Sequence, residues 1–366
     1  MQERSTIKKE DFDAFLYSAV KKGASDIHLK TGSPPSVRVN GVLIHLNLPP
    51  ISKQNIEAIT GYILSSKINP PSINEITQID LSYTTSPPII YRFRVSIFKQ
   101  RGNLSIVFRN IPAEIPTFQS LGLPPVIEKI SQESRGLILI TGATGSGKSS
   151  TLAAIINYIN HTKAVHIITI EDPIEFIHED IKARISQREV GTDTENFNSA
   201  LRAALRQDPD VILVGEIRDH ETIDIALKAA ETGHLVLSTL HTPDAAKTLG
   251  RILALFPPEE QELVRHRLAD NLTATISQRL LPRADGKGRV VAMEIMIVTG
   301  TVREWLIQME KPSTIKDIIE KSRTQYEMQT FDQSLTDLYR GGLVTLEAAK
   351  AAATNPADFI RALNFE

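Results

Sequence analysis

The segment GATGSGKSS, residues 142–150, constrains this chain more than any other part of it. It follows the apolar run GLILIT and precedes TLAAIINYIN, so it joins a predicted strand to a predicted helix that begins at Lys148. In the spacing GxxxxGKS the glycines let backbone N–H groups turn toward a phosphate, Lys148 can reach the β and γ phosphates, and Ser149 can ligate Mg²⁺. A helix N-terminus also favours an anion. A glycine-rich turn that binds nothing is the alternative, and the strand and helix on either side argue against it. The predicted nucleotide-binding residues are Gly142, Ala143, Thr144, Gly145, Ser146, Gly147, Lys148, Ser149 and Ser150.

Composition limits what the rest of the chain can be. With 366 residues, 41% hydrophobic and 23% charged, about two globular domains are expected. The net charge of −2 gives no overall basic field, which disfavours extended nucleic-acid binding. The chain has no cysteine, which excludes disulfides and cysteine-ligated metal. The start lacks the apolar core of a secretion signal, and no apolar run approaches the roughly 20 residues that cross a bilayer, so a cytoplasmic protein is expected.

Residues 1–110 mix helix and strand patterns. Residues 10–22 place Phe12 and Leu16 on one helical face, and Gly23 is placed to end that helix. Strand-like pieces follow, with a hairpin turn predicted at Asn40-Gly41. These patterns predict a small α/β domain built on an antiparallel sheet. Residues 111–125, which are rich in proline, are predicted to be a linker.

Residues 126–299 alternate between strands and helices. Continuous apolar strands separated by amphipathic helices predict a parallel sheet covered on both faces. The predicted strands are GLILIT, AVHIITI, DVILVGEI and HLVLSTL. From 300 to 366 the strand patterns disappear and short helices are expected.

Two predicted strands carry carboxylates at their ends, where open parallel sheets bind ligands. DPDVILVGEIRD places Glu216 there as a candidate near the metal, although it follows Gly215, where many phosphate-loop enzymes have aspartate. HIITIEDPIEF delivers Glu171, Asp172 and Glu175, and Glu175 is the candidate for activating the attacking water. Such carboxylates are also often merely solvated, and the residues alone leave both interpretations open.

Histidines and arginines supply further candidates. His234 begins a predicted strand and His241 ends it; a lone histidine is usually a core or turn residue, but the strand-end position favours a γ-phosphate contact for His241. Arg92, Arg94, Arg101 and Arg109 are predicted on adjacent strands. They form either a solvated sheet face or arginine fingers that act on the nucleotide of a neighbouring subunit.

Four segments in this order, GATGSGKSS, ITIEDPIEF, DPDVILVGEIRD and TGHLVLSTLHT, resemble the Walker A, Asp box, Walker B and His box of the secretion-superfamily ATPases. Those ATPases drive type IV pili and type II secretion, and a Gly-Glu Walker B is typical of them. The resemblance spans nearly the whole chain. It also includes ASDIHL, RFRVSIF, LFPPEEQ, ISQRLLPR and MQTFDQSL.

The resemblance implies a PAS-like N-terminal domain, a RecA-like core and a homohexamer that binds ATP and Mg²⁺ between the domains. It implies Glu175 as the catalytic glutamate, with Lys148 on the phosphates and Ser149 and Glu216 near the Mg²⁺. His234 and His241 would contact the nucleotide, and Arg94 and Arg109 would complete the site. A swing of the N-terminal domain would be the mechanical output.

Within that family the chain is most similar to the pilus retraction motors. It has no cysteine for a zinc insertion, its first domain begins almost at Met1, and its tail is of their type. The stretch 301–311, TVREWLIQMEK, departs from their AIRxG-like helix. The resemblance implies a peripheral protein at the cytoplasmic face of the inner membrane, with a pilus platform protein as its partner and no nucleic acid. The alternatives are a pilus extension or type II secretion ATPase, a RecA-like nucleic-acid translocase, and a nucleotide-gated binding module that does not hydrolyse.

Overall fold

A computed structural model describes residues 6–88, 90–112, 114–308 and 312–365. The chain has a mixed α/β fold that divides into two compact units. The first unit contains residues 1–114 and two later segments, 172–177 and 189–195. The second contains residues 115–171, 178–188 and 196–366. Two short segments of the central sequence are therefore packed with the N-terminal residues.

The first unit is built on a six-stranded sheet in the order β3-β2-β1-β6-β5-β4, with every neighbouring pair antiparallel. The predicted helix and the Asn40-Gly41 turn are confirmed, and Gly41 has a φ of 81°. Arg101 is a correction, because it lies with a φ of 50° in the turn between two strands and not on a strand. The elements are α1 (Lys9–Lys21), β1 (Ala24–Lys30), β2 (Ser36–Val39), β3 (Val42–His45), α2 (Lys53–Leu64), a 3₁₀ turn (Ile73–Glu75), β4 (Gln78–Thr84), β5 (Arg92–Gln100) and β6 (Asn103–Ile111).

One face of this sheet forms the core of the first unit. Alternate residues of β5, Phe93, Val95 and Ile97, are buried, and they pack in one cluster with Phe12 of α1 and Ile59 of α2. The intervening residues of β5 point to the other face, which places the polar side chains there.

The second unit contains a seven-stranded sheet in the order β13-β12-β7-β11-β10-β8-β9. Its elements are α3 (Phe118–Leu121), α4 (Val126–Ser131), β7 (Gly136–Thr141), α5 (Lys148–Thr162), β8 (His166–Glu171), β9 (Arg184–Glu189), α6 (Phe197–Ala204), β10 (Val211–Val214), α7 (His220–Glu231), β11 (Leu235–Leu240), α8 (Ala245–Leu253), α9 (Gln261–Asn271), β12 (Leu272–Pro282) and β13 (Arg289–Ile297). The last residue of β9, Glu189, is grouped with the first unit.

The parallel sheet predicted from the apolar runs is confirmed. Strands β12, β7, β11, β10 and β8 pair in parallel, and every residue of β7, β10 and β11 is buried. Burial on both faces explains why their sequences are apolar without alternation. Strand β13 pairs antiparallel with β12 at one edge, a pairing that the sequence pattern did not predict.

A helical C-terminal region, also predicted, follows the sheet. It contains α10 (Gly300–Gln308), α11 (Pro312–Lys321), α12 (Arg323–Tyr326), α13 (Phe331–Arg340), α14 (Leu346–Ala352) and α15 (Pro356–Phe365). Phe331, Leu335 and Phe359 pack on Leu281 of β12 and Ala292 of β13. Of the divergent stretch 301–311, residues 309–311 lie outside the described residues. Among the helices that the structure describes, none combines the length and the apolarity needed to span a bilayer.

Candidate nucleotide-binding site

The glycines of the 142–147 loop have backbone conformations that other residues rarely adopt. Gly142, Gly145 and Gly147 have φ values of 142°, 79° and 95°. A Cβ atom on Gly142 would lie 2.5 Å from Ser146 Oγ and 2.6 Å from the carbonyl oxygen of Gln278. The first glycine is therefore required both by its backbone conformation and by close packing against β12.

The loop leads directly into α5, whose first residue is Lys148. The Lys148 Nζ donates hydrogen bonds to the carbonyl oxygens of Gly142 at 2.9 Å and Ala143 at 3.0 Å. Burial lowers the pKa of Lys148, an effect that the charge of Glu216 opposes. The Oγ of Ser146 is buried without a hydrogen-bond partner in the described part of the chain. An ammonium group, an unpartnered hydroxyl and the free N–H groups of a helix start fit a phosphate group.

Glu216 and His241 follow β10 and β11, two neighbouring parallel strands of the same sheet. The side chain of Glu216 is 16% exposed and forms an ion pair with Arg218. His241 Nε2 lies 3.5 Å from Glu216 Oε2. Because β7 pairs in parallel with β11, the phosphate loop begins at the same edge of the sheet. The structure thus brings Lys148, Glu216 and His241 to one edge, as the strand-end positions predicted.

Gly215 has a packing reason for being glycine. A Cβ atom at this position would lie 3.3 Å from the carbonyl oxygen of Ile170 on the neighbouring strand and 3.6 Å from a ring carbon of Phe197. Aspartate would therefore crowd the backbone of β8. The acidic group is supplied one residue later, by Glu216.

Glu171, the last residue of β8, is bound by its neighbours in the second unit. Thr169 Oγ1 donates to Glu171 Oε1 at 2.7 Å, and Gln187 Nε2 donates to the same oxygen at 3.3 Å. These bonds orient Glu171 toward the strand itself. They favour Glu175 over Glu171 as the candidate for activating water.

Glu175 and the two candidate arginines belong to the first unit. Arg94 Nη1 lies 3.2 Å from Glu175 Oε1. Arg109 stands beside Arg94 in the strand register, but its Nε donates to Asp26 Oδ1 at 2.9 Å. Burial raises the pKa of Asp26, yet the hydrogen bonds and the charge of Arg109 outweigh this and hold that pKa below its usual value. The two arginines therefore have different acidic partners within the chain.

His234 does not lie with the other candidates. It precedes β11, whereas His241 follows it, so the length of that strand, about 20 Å, separates the two histidines. The Nδ1 of His234 lies 2.9 Å from the carbonyl oxygen of Ala229 and 3.1 Å from Thr232 Oγ1. These contacts fit a local role at the end of α7, which is the turn-residue interpretation for this histidine.

Sequence reasoning missed several polar partners of this site. Gln278 Nε2 donates to Thr151 Oγ1 of α5 at 2.7 Å, a contact between residues far apart in the chain that no local pattern reveals. Arg218 was within reach, because it follows Glu216 closely in the same motif. A buried cluster of charges around Glu189 was also missed.

The sheet and its loop define the class of protein. A parallel strand that runs through GATGSGKS into a helix N-terminus is the core of a P-loop nucleoside triphosphatase. The family profile described as Type II/IV secretion system protein matches residues 1–357. The chain belongs to the family of type II/IV secretion system proteins, as its four motifs predicted.

The similarity to known proteins extends along most of the chain. The type IV pilus retractation ATPase PilT of Pseudomonas aeruginosa is 46% identical over 349 residues, which are 95% of this chain and 100% of that protein. A twitching motility protein of Neisseria gonorrhoeae is 47% identical over 322 residues, 88% of this chain and 84% of that protein. A crystal structure of the pilus retraction motor PilT with bound ADP matches with a TM-score of 0.85 and 43% identity, covering 95% of this chain and 98% of that one.

Proposed function

We propose that this chain is the motor that powers retraction of a type IV pilus. It is an ATPase of the type II/IV secretion system family. The observation that carries the proposal is a phosphate loop with Lys148, Glu216 and His241 at one sheet edge. It occurs in a chain of which 95% is matched by a type IV pilus retractation ATPase.

ATP is the proposed substrate, with its phosphates bound by the loop residues 142–150. A bound Mg²⁺ would neutralise charge on the phosphates and polarise the γ-phosphorus for attack. The exposed hydroxyl of Ser149 and the carboxylate of Glu216 fit this cation, since Mg²⁺ prefers oxygen ligands and is commonly held by few protein groups together with substrate phosphates. Glu175 is proposed to activate the attacking water.

We further propose that the chain works as a homohexamer at the cytoplasmic face of the inner membrane, on a pilus platform protein. The binding of ATP can drive movement only through a difference in its affinity for two arrangements of the protein. The two compact units provide parts that could move against each other during the cycle.

Turnover by Glu175→Gln tests the chemistry. The variant is expected to bind an ATP analogue as wild type does and to lose about 10²- to 10⁴-fold in kcat, because an amide cannot accept the proton of the attacking water. Glu179→Gln is the matched control, since Glu179 is an exposed carboxylate a few residues farther along, and it should keep wild-type turnover. A wild-type rate of hydrolysis in Glu175→Gln would show that Glu175 is not the catalytic residue. The absence of Mg²⁺-dependent hydrolysis in the wild-type chain would contradict the proposed motor function.

The pilus assignment is tested in the host. Deletion of the gene is expected to leave pili on the surface that no longer shorten, with recovery by the wild-type gene and by Glu179→Gln but not by Glu175→Gln. Disappearance of the pili would instead indicate an extension motor. Turnover stimulated by nucleic acid, with steep salt dependence, would indicate a translocase.

A further inference from the structure

A buried group of charges in the first unit is centred on Glu189, whose side chain is 2% exposed. Its carboxylate forms an ion pair with the guanidinium of Arg92 and accepts a hydrogen bond from the hydroxyl of Ser82. Lys67 Nζ lies 3.3 Å from Glu189 Oε1. Ser82 and Arg92 lie on β4 and β5, so Glu189 is bound to the face of the N-terminal sheet opposite its core.

The same group holds the backbone just before Glu175. The N–H of Ile174 donates to Glu189 Oε2 at 3.2 Å, and Arg92 Nε donates to the carbonyl oxygen of Ile174 at 3.0 Å. Both backbone polar groups of Ile174 are thus bound by one ion pair, and the residue is 8% exposed. Arg94, on the same face of β5 as Arg92, then pairs with the carboxylate of Glu175.

The segment that follows Glu189 is fixed to the first unit as well. Lys67 Nζ donates to Thr192 Oγ1 at 3.0 Å, and the N–H of Ile68 donates to the carbonyl oxygen of Gly191 at 2.9 Å. The N–H of Glu189 itself donates to Asp193 Oδ2 at 2.8 Å. Segments 172–177 and 189–195 are therefore both held on the first unit, by side chains of β4 and β5 and by the residues that follow α2.

Glu189 remains ionised in this environment. Burial raises the pKa of its carboxyl, but the hydrogen bond from Ser82 and the charges of Arg92 and Lys67 outweigh burial and place that pKa below its usual value. A buried ion pair adds little stability over an apolar replacement, whereas its geometry constrains the groups that it joins.

We propose that Glu189 and Arg92 are positioning residues, which hold Glu175 on the N-terminal sheet so that this carboxylate moves with the first unit. This inference rests on the proposed role of Glu175 in activating water. Lys148 and Glu216 belong to the second unit, whereas Glu175 belongs to the first. The buried ion pair of Glu189 and Arg92 thereby fixes the backbone next to Glu175 to the N-terminal sheet.

Arg92→Lys tests this inference. Lysine keeps the positive charge beside Glu189 but loses the Nε donor to Ile174, so the segment loses its fixed position. We expect kcat to fall about tenfold to 100-fold, because small misplacements of a reacting group are costly, with the affinity for an ATP analogue unchanged. In the Glu175→Gln background the same substitution is expected to add no further loss in single-turnover rate, since it acts only through Glu175.

The positioning role of Arg92 and the catalytic role of Glu175 can fail separately, and a control variant helps to distinguish the two failures. Arg267→Lys is the matched control, because Arg267 in the second unit also bridges two carboxylates, Asp224 and Glu231, and it should leave kcat unchanged. If Arg92→Lys lowers the rate of hydrolysis equally in the wild-type and Glu175→Gln backgrounds, or in neither, the positioning role is wrong. The proposed motor function would be unaffected. Full activity in Glu175→Gln would overturn the catalytic assignment instead. Should Arg92→Lys fail to fold, Ser82→Ala, which removes one hydrogen bond to Glu189, is expected to show a smaller loss of the same kind.

Discussion

At residue 142 the phosphate loop permits only glycine. Replacement by alanine adds a strained backbone conformation, on the order of 1–3 kcal/mol, and a clash with the backbone of β12. We expect Gly142→Ala to weaken binding of an ATP analogue at least about tenfold, because the loop can no longer present its N–H groups to a phosphate. Equilibrium titration with a fluorescent analogue measures this.

The matched control for that substitution is Gly286→Ala. Gly286 also has a positive φ, 70°, but lies in an exposed turn where an added Cβ atom meets nothing within 4 Å. Alanine there also needs a positive φ but meets no clash, so nucleotide affinity should stay at the wild-type value. Equal weakening by both substitutions would show that lost stability, and not the shape of the loop, is responsible.

A single buried acid, Glu294 on β13, should affect stability across the neutral pH range. Burial raises its pKa from 4.5 to about 7, and Glu294 Oε1 accepts a 2.8 Å hydrogen bond from the N–H of Ala245. Because the folded state then binds a proton that the unfolded state has lost, the free energy of unfolding falls as pH rises from 4.5 to 7 and levels off above that. Glu294→Gln keeps the acceptor and is neutral, so we expect it to match wild type near pH 4.5 and to exceed it at pH 8 by on the order of 1–3 kcal/mol.

Urea unfolding at several pH values measures this difference. Glu262→Gln, at an exposed position on α9, is the control and should follow the wild-type pH dependence. The same decline in Glu294→Gln between pH 5 and pH 7 as in wild type would show that another group takes up the proton.

At the scale of elements, the buried strands were the easiest to predict. Strands β7, β10 and β11 are covered on both faces, and their continuous apolar sequences indicate this burial directly. Helix α2 was missed although Ile56, Ile59 and Ile63 are buried at helical spacing, because polar residues and Gly61 interrupt the pattern. The pairing of β13 with β12 was missed because register depends on the partner strand and not on local sequence.

The residues of the candidate site also divide into those that the sequence predicts and those that only the fold reveals. Lys148, Glu216 and His241 were predictable, because each lies at the end of a recognisable strand and parallel strands bring their ends to one edge. His234 shares a motif with His241 but lies at the opposite end of β11, since a motif gives order along the chain and not the side of the sheet. The partners Glu189 and Arg92 are far apart in sequence, and only the folded first unit brings them together.

At the scale of the whole molecule, the candidate residues are shared between the two units. The phosphate loop, Glu216 and His241 belong to the second unit, whereas Glu175, Arg94 and Arg109 belong to the first. Arg94 and Arg109 are neighbours across β5 and β6, with side chains 50% and 71% exposed. Because Arg94 pairs with Glu175 of its own chain, we expect it to serve the nucleotide of that chain. Arg109, which is the more exposed, is the better candidate to act on the nucleotide of a neighbouring subunit.

Hydrolysis by hexamers that are assembled from two different variants distinguishes these two assignments. Lys148→Ala removes the phosphate contact of its own site but leaves Arg109 intact for a neighbour, so mixing it with inactive Arg109→Ala subunits should restore hydrolysis. In random rings about one quarter of the sites would combine an intact loop with an intact neighbouring arginine. Mixing Lys148→Ala with Arg94→Ala is the matched control and should restore nothing, because each defect then lies in the site of its own chain. If hydrolysis recovers only in the mixture with Arg94→Ala, then Arg94 acts on the neighbouring subunit and Arg109 on its own. If it recovers in neither mixture, both arginines act within their own subunit.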